Sequence, residues 1–116
     1  MSENSKYNEI FEKNSQEMGL GVDVYIRILK TSIPQIKEDL IKLPSAIENE
    51  DFTSIAAIAH RIKGTYRNLL LNDIADLAQK IDEAAKSNDK QLITRIAADT
   101  QSMSLKLQEL CDALDN

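Results

Sequence analysis

One segment gathers residue types that could do chemistry together: Ile58-Ala59-His60-Arg61-Ile62-Lys63-Gly64. His60 is the only histidine in the 116 residues, and Gly64 is the only glycine outside the Gly19/Gly21 pair. Imidazole is a nitrogen nucleophile that titrates near neutrality. An ammonium three residues later can attract and partly neutralise a phosphoryl group placed on that nitrogen. A glycine four residues later lies one helical turn away on the same side. In a helix interior it costs about 1 kcal/mol relative to alanine, a loss that asks for a packing or functional reason.

The element carrying this segment is a helix. Phe52, Ile55, Ala59, Ile62, Tyr66 and Leu69 recur at alternating three- and four-residue spacing, which makes a bundle seam. At about 100° per residue the seam centres on Ile55, Ile62 and Tyr66, and His60 lies roughly 130° away. The imidazole is therefore expected to face outward. Thr53, Ala56, Ala57, Lys63, Gly64 and Arg67 fall within about 60° of it. Lys63 and Arg67 supply two cations, while Ala56, Ala57 and Gly64 leave room for another protein to approach the ring. A lone surface histidine followed by a lysine is commonly a solvated helix face. Gly64 favours function, because a solvated face leaves its helix cost unexplained.

The surrounding chain reads as helices throughout. A short first helix is expected from about Lys6 to Met18, with Tyr7, Ile10, Phe11 and Met18 apolar and Ser5 as a cap; Gly19-Leu20-Gly21 breaks it. Asp23 can open a second helix with Tyr25, Ile28, Leu29, Ser32, Ile36, Leu40, Leu43 and Ile47 inward. Pro34 predicts a bend in it, and Pro44 a bend or interruption near its end. Ile26 and Ile33 lie off that stripe, either under the first helix or in an exposed patch.

Asp51 is the expected cap of the third helix, which should end near Leu69 to Leu71, and Asn72 of the fourth. The fourth buries Ile74, Leu77, Ala78, Ile81, Ala84 and Ala85. After Ser87-Asn88-Asp89, a last helix runs from about Lys90 to Leu114 with Ile93, Ile96, Met103, Leu107, Leu110 and Leu114 inward and Thr100 among them. Four long helices on short turns predict an all-α, up-down-up-down antiparallel four-helix bundle. Residues 1–21 form a short extra helix and turn capping it, and residues 22–116 the bundle, in a single domain.

Composition narrows the function. Net charge is −5, from 14 basic and 19 acidic residues, which disfavours nucleic acid. No apolar run approaches the ~20 residues of a membrane span, and the polar start lacks a signal-peptide core. A single cysteine, Cys111, has no internal partner. Together these favour the cytoplasm. One histidine and one cysteine offer no metal-ligand cluster, so no metal or other cofactor is expected.

The string Ile58-Ala59-His60-x-Ile62-Lys63-Gly64 resembles the motif of histidine-containing phosphotransfer (HPt) domains, which reads apolar, Ala, His, any, apolar, Lys, Gly. The lead-in Asn49-Glu50-Asp51-Phe52 and the later Leu77-Ala78-x-x-Ile81 resemble the family too. The likeness is most specific over residues 49–85. It implies that His60 accepts a phosphoryl group from the aspartyl phosphate of a response-regulator receiver domain, with a hybrid sensor histidine kinase upstream, and passes it to a second receiver. Lys63 would sit near the phosphoryl oxygens and Gly64 would leave room beside the imidazole. The receiver would bring magnesium and the acidic pocket, so this chain would be a monomeric relay intermediate rather than an enzyme.

Two departures from the family pattern stand out. Tyr66 and Arg67 replace small residues after the glycine, and Leu70 stands where many members have a second glycine. Tyr66 falls in the seam and can fill a larger hole; Leu70 leaves the close of the third helix without its usual residue. The alternative reading is a helical interaction module or inhibitor that docks to a histidine kinase or receiver without accepting phosphate. An autonomous enzyme is disfavoured, since no carboxylate pair, nucleophile–base dyad or phosphate loop is visible.

Overall fold

A computed structural model of the chain describes residues 3–115, the side chains of residues 3–5 excepted. Among the described residues it contains only helices: α1 (Glu3–Glu17), α2 (Val22–Glu48), α3 (Phe52–Asn68), α4 (Asn72–Lys86) and α5 (Ile93–Leu114), the last entered through a 3-10 turn at Lys90–Leu92. Helices α2, α3, α4 and α5 each pack on the next, and α5 closes back on α2, so the four form a bundle. The short α1 lies against α2 and α5. Cross-helix partners fix direction. Tyr25 meets Leu69, Ser32 meets Tyr66 and Asp39 meets Arg61, so α2 and α3 run antiparallel.

The α3 seam is as the spacing predicts, with Phe52, Ile55, Ala59, Ile62, Tyr66 and Leu69 all buried. Tyr66 is fully enclosed and its hydroxyl lies 2.9 Å from that of Ser32, so the large ring fills the core instead of disturbing it. Burial pushes its phenol above the ordinary tyrosine range. Asp51 caps α3, accepting hydrogen bonds from the Ser54 hydroxyl at 2.7 Å and the Ser54 backbone N–H at 3.2 Å.

Other expectations at helix ends need correction. Ser5 lies inside α1, which opens at Glu3. Gly21 occupies the N-cap of α2 and Asp23 falls in its first turn, where its charge meets the positive end of the helix dipole. Leu71, not Asn72, is the N-cap of α4, because Asn72 is already helical. Helix α2 runs unbroken through Pro34 and Pro44. Each proline removes only one donor from a helix held along its length by packing, and both side chains face outward. Ile28 is 39% exposed instead of buried, while Ile26 and Ile33 pack against the core.

The third helix closes without a glycine. Leu70 adopts φ +62, the left-handed conformation that β-carbon sterics disfavour. The backbone N–H of Leu71 reaches the carbonyl of Tyr66 and that of Leu70 reaches Arg67, so the turn is a Schellman motif with leucine in the glycine place. Side chains from two other helices hold it. The Tyr25 hydroxyl donates to the Leu69 carbonyl at 2.6 Å, and the Asn14 amide donates to the Leu70 carbonyl at 3.2 Å and to the Tyr25 hydroxyl at 3.2 Å. Asn14 is buried in α1, a position that the apolar pattern passes over.

Replacing Asn14 by leucine, of similar size, should cost about 1–3 kcal/mol in urea unfolding, because buried carbonyls lose their donor. A loss below a few tenths would mean that α1 does not brace this turn. Asp51 gives a pH signature. Its carboxyl is held below its ordinary value of 3.8 by the Ser54 hydrogen bonds. Its contribution is therefore present above that value and is lost as pH falls through the lower folded one. Asp51→Asn should show a shallower fall in melting temperature as pH is lowered below about 4.

Candidate functional site

The outward reading of His60 holds: its side chain is 67% exposed. Ala57 beside it is exposed as well, whereas Ala56 is half-buried and packs against the core. At Gly64 a β-carbon would meet nothing within 4 Å. The glycine is therefore not demanded by packing within this chain, and its helix cost leaves an open surface one turn from the imidazole.

Beneath the ring lies a residue that sequence reasoning missed. Asp82 of α4 is only 2% exposed, and its Oδ2 stands 3.7 Å from His60 Nδ1, 3.6 Å from Lys63 Nζ and 3.3 Å from Lys86 Nζ. Its other oxygen, Oδ1, is buried without a hydrogen-bond partner. A buried carboxylate is unfavourable unless cations face it, and here two lysines and an imidazole share one oxygen. With Nδ1 turned to the carboxylate, Nε2 is the ring nitrogen left for an incoming electrophile. The two ammonium groups exceed the single carboxylate by one positive charge, which suits an arriving phosphoryl dianion.

The signal for Asp82 was present in the sequence. Ala75, Ala78, Asp82 and Ala85 follow three-and-four spacing, so a carboxylate stands inside the buried stripe of α4, and all four are buried. The sequence reading stepped over it from Ile81 to Ala84. A nucleophile–carboxylate pair therefore exists, made by two helices across the α3–α4 contact.

The two arginines are engaged elsewhere. Arg67, expected as a second cation beside the imidazole, reaches α4 instead, bonding Asp76 at 2.8 Å and Gln79 at 3.0 Å. Arg61 turns to the opposite side and pairs with Asp39 of α2, which also accepts from Gln35 at 3.2 Å. That hydrogen bond raises the Arg61 guanidinium above its ordinary value. Lys63 is half-buried, at 27% exposure, against the carboxylate, and Lys86 is the cation that comes from the neighbouring helix.

Residues 24–116 match the Hpt domain family model. The chain belongs to the Hpt domain family. Hpt domains serve histidine phosphotransfer in phosphorelays and two-component signalling, in contact with receiver domains and kinases. No curated protein and no solved structure matches the chain significantly. No helix among the described residues is long and apolar enough to cross a membrane.

Gly64→Ala should stabilise the folded chain by about 1 kcal/mol in urea unfolding, since the new methyl finds open space and the helix loses its weakest former. Destabilisation instead would show that Gly64 serves internal packing.

Proposed function

We propose that this chain is a cytoplasmic, monomeric phosphorelay intermediate that takes a phosphoryl group onto Nε2 of His60 and gives it up to a second receiver. One observation carries the reading: an exposed imidazole with Nδ1 against a buried carboxylate and Nε2 free, beside the unfilled space at Gly64. The donor would be the aspartyl phosphate of a receiver domain, as in a hybrid sensor histidine kinase, and the acceptor a carboxylate on another receiver. No cofactor of its own is needed in this scheme, because magnesium and the acidic pocket belong to the receiver.

Each neighbour has a role in this scheme. Lys63 and Lys86 lie close enough to His60 to turn their ammonium groups onto phosphoryl oxygens, their flexible stems allowing the shift. Gly64 and Ala57 keep the approach low, so that the receiver's aspartate can come within bonding distance of Nε2. Ala56 supports that face from below. Arg67 contributes by tying α3 to Asp76 and Gln79, and so by setting the surface that a receiver meets.

Incubation with a phosphorylated receiver should place acid-labile, base-stable label on the wild-type chain and none on His60→Gln. Full labelling of His60→Gln would remove the imidazole from the reaction. Gly64→Gln should fold, with a melting temperature no lower than wild type, yet lose transfer by blocking the receiver; unchanged transfer rates would end the steric argument.

A further inference from the structure

We propose that Asp82 is a positioning residue that controls how readily the phosphoryl group leaves His60, by stabilising a proton on Nδ1 of the phosphorylated ring. The proposal rests on the phosphotransfer reading and concerns what happens after the group has arrived. In the resting chain, Asp82 Oδ2 is shared by three partners and Oδ1 has none, although the side chain is only 2% exposed. The carboxylate thus has accepting capacity that the unphosphorylated site leaves unused.

The chemistry of departure makes that capacity matter. When the phosphoryl group leaves, the P–N bond breaks and its electron pair stays on Nε2, while a new P–O bond forms to a receiver carboxylate or to water. If Nδ1 carries no proton, the leaving group is an imidazolate anion, which is a poor one. If Nδ1 is protonated, the ring of the phosphohistidine is cationic and departs as neutral imidazole, its Nδ1 proton in place. A carboxylate 3.7 Å from Nδ1 favours that cationic form.

The remaining charged groups fit this assignment. From the ring's own helix, Lys63 faces the carboxylate; from α4, Lys86 does. Arg61 is held by Asp39 of α2 and Arg67 by Asp76 of α4, so neither competes for Asp82. A phosphoryl group on Nε2 adds negative charge that draws the two ammonium groups outward. Asp82 is then left to the ring, at the moment when a proton on Nδ1 makes the group transferable.

The test uses the full chain phosphorylated chemically with phosphoramidate, which needs no receiver. His60 is the only histidine, so phosphohistidine label has one address. Label lifetime is followed against pH by phosphorus NMR. The folded wild type should lose its label rapidly up to a higher pH than the same phosphorylated chain unfolded in urea. Asp82→Asn should move the midpoint down by about one pH unit, making the lifetime near neutrality about tenfold longer. Asp82→Glu should restore the wild-type midpoint, whereas Lys86→Ala should not lower it.

Coincident midpoints for folded wild type and urea-unfolded chain overturn the proposal even if Asp82→Asn proves too unstable to study. Coincident midpoints for wild type and a folded Asp82→Asn do so as well. A wild type that shows the shift yet exchanges label with no receiver supports the control by Asp82 and removes the relay reading instead.

Discussion

A single buried carboxylate organises the reactive face. Asp82 would be costly inside the bundle without compensating charge, and the charge comes from Lys63 of α3 and Lys86 of α4, with the His60 ring of α3 beside them. For α3 to present those two side chains, the helices must lie close. Ala59 on α3 and Ala75 and Ala78 on α4 are fully buried, and small side chains in that contact let the backbones approach. The motif residues therefore depend on a helix that the motif does not include. Their geometry belongs to the pair of helices, and α3 alone could not supply it.

The division of labour among the cations follows from their chemistry. Both arginines of α3 are committed to neighbouring helices, Arg61 to Asp39 and Arg67 to Asp76 and Gln79. A planar guanidinium with several fixed donors suits ties of that kind. The lysines, with compact charges on flexible stems, stand by the imidazole, where a charge must be able to move as the ligand comes and goes. The arginines hold α3 against α2 and α4, and so keep His60 over Asp82.

Much of this could be read from residue order, and the parts that could not have physical reasons. The seam from Phe52 to Leu69 and the outward turn of His60 follow from helical periodicity, which tertiary packing here does not oppose. The cap at Asp51 was legible because its side chain satisfies a backbone donor locally. Asn72 and Asp23 were misassigned because the observed N-caps, Leu71 and Gly21, make no side-chain cap, so a search for capping side chains passes to the next polar residue. Asp82 escaped because an apolar stripe is traced by leaving carboxylates out, and its partner His60 is distant in sequence. Leu70 was noticed as a missing glycine, but the hydrogen bonds from Asn14 and Tyr25 that hold its turn link residues far apart in the chain.

The clamp that α1 places on the end of α3 bears on what counts as the working unit. The family match begins at residue 24, whereas Asn14 lies before it and Tyr7 and Phe11 join the core. A fragment trimmed to the recognised boundary would keep every residue of the reactive face but lose the wedge that steadies the helix bearing it. The unit of homology is thus smaller than the unit of mechanical integrity. In this chain one of the ties that close the histidine helix, from Asn14 to the Leu70 carbonyl, comes from a segment that the family match does not cover.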